Sequence, residues 1–158
     1  MDLRLFYSFI LTIMPISELR GGLPLAIIYS LEKNIPIWLV FSNIILLNIL
    51  LIFFIFYFLD KIHGGLMNFV FYRTLFKKYV LRFQNRLNKI KGHSKGEFVA
   101  LLFFVAIPLP GTGAWSGCLA AWLLGLERKK SILAISLGVL IAGILILLAS
   151  LGFIGLLS

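Results

Sequence analysis

The chain of 158 residues is 61% hydrophobic and only 13% charged, with a mean hydropathy of +1.04. A soluble domain carries about a quarter of its residues as charges, so the composition excludes an ordinary water-soluble fold and points to a membrane. The net charge of +9 could suit nucleic acid, but the basic residues flank apolar segments, which makes anionic lipid headgroups the expected partners and argues against nucleic acid.

The first 33 residues hold an apolar arm, LRLFYSFILTIM, a break, PISELRGG, and a second arm, LPLAIIYSL. At 1.5 Å per residue, either arm covers only about half of a hydrocarbon layer of about 30 Å. A signal peptide could also start with Arg4 before an apolar run, but no small-residue cleavage site follows and the segment continues into Glu18 and Arg20. Two readings remain open. The arms form one kinked spanning helix, or they form a re-entrant hairpin that enters and leaves by the same face. In the hairpin, Pro15, Gly21, Gly22 and Pro24 are the expected turn residues. Residues 35–59 then run for 25 positions without a charge, enough for a tilted transmembrane helix.

Residues 60–97 hold most of the basic side chains. Leu66, Phe69, Tyr72, Phe76, Val80, Phe83, Leu87 and Ile90 recur three or four apart, while Arg73, Lys77, Arg82, Arg86 and Lys89 form a separate stripe. This pattern predicts a basic amphipathic helix at the membrane interface, with those five cations on lipid headgroups. A soluble helical excursion is the plainer alternative.

The second half repeats the order of the first: an arm, FVALLFFVAI, a break, PLPGTGAWSG, an arm, CLAAWLLGL, a charged cluster, and 27 charge-free residues at 131–157. Pro108, Pro110, Gly111, Gly113 and Gly117 are its expected turn residues. Gly113, Gly117, Ala121 and Gly125, and likewise Ala134, Gly138 and Ala142, recur every four residues as stripes that admit a close helix neighbour. A homodimer built on these stripes is expected.

Charge placement bears on topology. Lys and Arg accumulate in cytoplasmic loops, so the connection 61–95 and the cluster 127–130 are expected inside. Both lie inside only if the second broken segment returns to the face it entered. Asp2, Arg4, Glu32 and Lys33 sum to zero, as suits the outer side, which puts both termini outside. The expected fold is an all-α integral membrane protein, a single membrane domain over 1–158. It is an inverted repeat in which each half, 1–59 and 98–158, is a re-entrant helical hairpin followed by a transmembrane helix. Transporters often place a substrate site where such broken helices meet at the midplane.

At that depth ionisable residues are costly and usually functional. Arg20 is the expected anion ligand and Glu18 the expected proton acceptor, since a carboxylate away from water binds protons more readily. Ser17, Thr112 and Ser116 from the two breaks and Asn43 from the first spanning helix are expected to line the same site, with Asn48 a further candidate. The plainer readings are a Glu18–Arg20 pair that pins the turn, and asparagines that bond neighbouring helices. Catalysis finds no support. Ser116 lacks a base, since His63 and His93 flank the basic connection, and GTGAWSG lacks the lysine of a phosphate loop. The single cysteine, Cys118, excludes an internal disulfide, and no Cys/His cluster offers a metal site. No cofactor is expected.

PISELRGGLPLAI (15–27) and AIPLPGTGAWSGCLAAWLLGL (106–126), with LGVLIAGI (137–144), closely resemble the small multidrug export protein family of bacteria and archaea. The resemblance extends over essentially the whole chain and implies a prokaryotic cell membrane protein. That family is distantly similar to the DedA/VTT membrane proteins, built around paired re-entrant hairpins. The similarity implies proton-coupled transport or translocation of lipid phosphates, with an acidic residue and arginines near the hairpins. Glu18 and Arg20 match the first hairpin of that pattern, while the second hairpin here has no arginine. The expected function is proton-coupled transport of an amphiphilic or anionic small molecule or a lipid phosphate. A non-transporting scaffold acting through the basic helix, and a channel, are the alternatives.

Overall fold

The computed structural model describes residues 3–15, 17–66, 74, 94–109 and 111–157. The expected basic amphipathic helix, with Arg73, Lys77, Arg82, Arg86 and Lys89, and the turn residue Pro110 lie outside the described residues. Within them the chain is all-helical, with six helices and no strand: α1 (Leu3–Ile13), α2 (Glu18–Glu32), α3 (Ile37–Leu66), α4 (Ser94–Ala106), α5 (Ala114–Leu124) and α6 (Arg128–Leu157).

Two of these, α3 and α6, contain stretches long and apolar enough to cross a membrane, Ile37–Lys61 and Arg128–Leu156. Absence of charge dictates their persistence, since nothing within them gains by leaving an apolar phase. The helix α3 begins two residues later than the charge-free run because Ser30 and Ile35 close a turn before it. The Ile35 N–H bonds the Ser30 carbonyl at 2.9 Å and the Ser30 hydroxyl bonds the Ile35 carbonyl at 2.6 Å. Leu46, Leu50, Phe53 and Phe54 on α3 and Leu133, Leu137, Leu140 and Leu148 on α6 are exposed, an outward apolar surface that suits lipid.

The arms α1 and α2 fold back on each other. Arg4 at the start of α1 pairs with Glu32 at the end of α2 at 2.5 Å, so the two run antiparallel. Between them the Ser8 hydroxyl donates to the Gly22 carbonyl at 2.8 Å, and a Cβ on Gly22 would overlap the Thr12 hydroxyl. Gly22 therefore serves close packing. In the second half, the start of α4 (Glu97, Phe98, Leu101) shares a crevice with Leu126, Glu127 and Lys130 at the end of α5 and the start of α6, so this pair of arms also doubles back.

The breaks are shorter than the sequence suggested. Residues 14–17 and 107–113 separate the arms, whereas Gly21, Gly22, Pro24 and Gly117 lie inside helices. Pro15, Pro108, Gly111 and Gly113 do occupy the turns, and Gly111 has φ of +84°, the left-handed region that glycine enters without penalty. Pro24 sits in the second turn of α2, where it removes the N–H that would have bonded the Arg20 carbonyl.

The small-residue stripes are used within the chain. A Cβ on Gly117 would come within 2.7 Å of Val105 Cγ2, and one on Gly138 within 2.9 Å of the Leu102 carbonyl, while a Cβ on Gly143 would meet Ile45 at 2.6 Å. These glycines seat α4 and α3 against α5 and α6. Gly117 and Gly138 thus act as the stripes were expected to, admitting a close helix neighbour, here Val105 and Leu102 of α4.

The core lies where the halves meet, with Leu23 and Ile27 of α2, Ile44, Ile52 and Ile55 of α3, Val105 of α4, Cys118 of α5 and Ile135 of α6 buried. At one end Asp60 of α3 accepts from Trp122 Nε1 at 3.0 Å and Arg128 at 2.9 Å. The Arg128 guanidinium lies 4.5 Å from the centre of the Phe56 ring. Arg4 and Glu32 mark the opposite end, and the turns between arms fall midway.

Candidate functional site

The two turns meet beside the middle of both long helices. Glu18 opens α2 and is 8% exposed. Its Oε1 accepts the Trp115 N–H at 3.0 Å and its Oε2 the Ala114 N–H at 3.2 Å. These are the first amides of α5, which have no partner within their own helix, and a carboxylate there also meets the positive end of the helix dipole. Gly113 explains how the carboxylate gets so close, because a Cβ at that position would overlap it. The backbone of Gly113 is extended, with φ of 176°, so the requirement is one of space.

Arg20 reaches the same turn from two positions further along. Its guanidinium donates to the Thr112 carbonyl and, at 2.8 Å, to the Thr112 hydroxyl. That hydroxyl lies 2.6 Å from the Ile107 carbonyl and 2.9 Å from the Leu109 carbonyl, so it ties the bend together while presenting a lone pair to Arg20. Trp115 adds a third link, its Nε1 donating to the Ile13 carbonyl at 3.0 Å. No direct ion pair joins Glu18 to Arg20 among the described residues. Each bonds the opposite turn.

Glu18, Arg20 and Thr112 line two small cavities. One, of about 30 Å³, is completed by Pro15, Ser17, Gly111 and Ser116. The other, of about 10 Å³, is completed by residues that include Asn48, Val105, Val139 and Ala142. The residues expected at the site from the two breaks, Ser17, Glu18, Arg20, Thr112 and Ser116, thus come together. Within this layer the Ser17 hydroxyl bonds the Leu11 carbonyl at 2.7 Å, and the Ser116 hydroxyl receives the Gly113 N–H at 2.8 Å.

Asn43 does not join them. It is exposed on α3 and its Nδ2 donates to the Leu39 carbonyl at 2.8 Å, while Asn48 is the asparagine that faces the turns. The sequence also gave no sign that Trp115 would bond the first turn or that the amides opening α5 would be taken by Glu18. Because that carboxylate occupies them, an external anion reaches them only by displacing it.

These features define an all-helical membrane protein with two helices of spanning length and a polar layer, held by Glu18 and Arg20, between its broken segments. Residues 18–145 match the family model described as "Putative small multi-drug export protein", and the chain belongs to that family. No curated protein matches the chain, and no solved structure matches it.

Proposed function

We propose that this protein is a proton-coupled membrane transporter whose substrate, an amphiphilic or anionic small molecule or a lipid phosphate, passes the midplane between two re-entrant hairpins. The observation that carries the reading is the placement of Glu18 and Arg20, which follow one turn, on Thr112 and the amides of the other, with two small cavities beside them. Family membership supports export as the activity.

In this mechanism, deprotonated Glu18 holds the amides of Ala114 and Trp115 and keeps the turns together. Protonation weakens that grip, because a neutral acid is a poorer acceptor for a helix N-terminus. The freed amides and Arg20 then receive the anionic group of the substrate, so proton and substrate exchange places on one set of donors. The inverted relation of the two hairpins supplies alternating exposure. The distant similarity to DedA/VTT proteins is part of the same proposal.

The test uses vesicles loaded with a fluorescent phosphatidic acid or a fluorescent amphiphile. A pH-dependent rate should become pH-independent in Glu18→Gln, and a Gln variant that keeps full gradient-driven transport would remove the coupling role. The topology proposed with it puts both termini outside, with 61–95 and 127–130 inside. Cysteines at 95 and 129 in a Cys118→Ser background should then label from one face. Labelling from opposite faces would restore a spanning second segment.

A further inference from the structure

Asn48 is 1% exposed in the middle of α3, and its Oδ1 is a buried side-chain oxygen with no hydrogen-bond partner among the described residues. Buried carbonyls are rarely left so, because the bond to water lost on folding is not replaced. The orientation of the amide is fixed by α3 itself. Nδ2 donates to the Ile44 carbonyl at 3.1 Å, and the reversed amide would set carbonyl against carbonyl. Asn48 lines the cavity of about 10 Å³ together with Glu18, Arg20 and Thr112. A cavity of roughly 10 to 15 Å³ is what one water molecule needs, provided that at least two polar groups receive it.

We propose that Asn48 Oδ1 and the Glu18 carboxyl together bind a single water molecule, which gives Glu18 a proton contact on the side of the layer away from Ser17 and Ser116. The ligand class follows from size and charge. The space admits one small oxygen species, and the Arg20 guanidinium on the same cavity opposes a metal cation. Arg20 keeps N–H donors beyond those that reach Thr112, so the water has three polar neighbours. It donates one O–H to Asn48 in either protonation state. Its other link reverses: the water donates to ionised Glu18, and protonated Glu18 donates to the water. Among the described residues, the titratable and charged groups that face Glu18 are Arg20 on its own helix and the Cys118 thiol of α5. The helices α3 and α6 face it with Asn48, Val139, Ala142 and Ile146.

The site rests on the reading of Glu18 as a group that changes protonation, yet its test needs no transport. In vesicles, pH-difference infrared spectra isolate the protonated Glu18 carboxyl stretch as the band lost in Glu18→Gln. Asn48→Leu should raise the frequency of that band and abolish a water O–H band that shifts in H₂¹⁸O, whereas Asn48→Ser, which leaves a hydroxyl and room for water, should retain both. An unshifted carboxyl band in Asn48→Leu, or the absence of an isotope-sensitive water band in the unaltered protein, overturns the proposal. A band shift in a protein whose Gln variant still transports fully would keep the water site and discard the transport role of Glu18, so the two failures are distinguishable.

Discussion

The turn between α1 and α2 and the turn between α4 and α5 meet face to face, yet they are built in opposite ways. The first is residues 14–17, followed at once by a carboxylate and a guanidinium. The second, residues 107–113, holds no ionisable side chain. It offers neutral groups instead: the Thr112 carbonyl and hydroxyl to Arg20, and, where it passes into α5, the amides of Ala114 and Trp115 to Glu18. Charge at this layer is thus balanced across the pair of turns. One half supplies full charges and the other supplies fixed dipoles, so neither turn is satisfied alone.

If this division is right, the second turn contributes by being small, and adding bulk there should have the largest effect. Gly113→Ala places a methyl group against the Glu18 carboxylate and should break its bonds to Ala114 and Trp115. Hydrogen bonds to a charged group are worth about 1.5 to 3 kcal/mol each, so a loss of about 4 kcal/mol is expected. Chemical unfolding in detergent measures it. An effect below about 1 kcal/mol would show that the two turns are not coupled through this contact.

The first turn contributes by side-chain geometry, and a change there should have a smaller effect. Arg20→Lys keeps the charge but loses the planar fork that reaches the carbonyl and hydroxyl of Thr112 together. A loss of about 1 to 2 kcal/mol is expected by the same unfolding measurement. A double-mutant cycle of Arg20→Lys with Thr112→Val should recover a coupling energy of similar size. Additive effects would mean that Arg20 acts only as a point charge.

Much of this arrangement was legible in the residues. The charge-free runs announced α3 and α6, because a helix that meets no polar group has no reason to end. Pro15 and Pro108 placed the two breaks. What the sequence could not separate was glycine that bends from glycine that packs. Gly21, Gly22 and Gly117 read as turn residues, but they lie inside helices, and Gly22 and Gly117 are small because Thr12 and Val105 press on them.

The asparagines show a second limit. Positions 43 and 48 are five residues apart, which sets them about 140° apart around a helix. Only one can face the turns. On α3 the flanking residues are apolar all round, so no polar stripe marks the inward face. Charges in the first turn and the Thr112 hydroxyl were visible as candidates, whereas the other partners were backbone atoms of a segment more than ninety positions away, which no side-chain pattern encodes.

Glu18 carries one more property, its backbone φ of +45°. A residue with a Cβ resists that left-handed twist by about 1 to 2 kcal/mol, and here the twist coincides with the two amide bonds that anchor the side chain. The first peptide of α2 therefore sits above its own resting conformation, held by contacts made at the far end of the same residue. Under the proposed protonation of Glu18, loosening of the bonds to Ala114 and Trp115 would also let this backbone relax, so the expected release is larger than the loss of the two hydrogen bonds alone. The residue is wound in the folded protein, and the carboxylate is its catch.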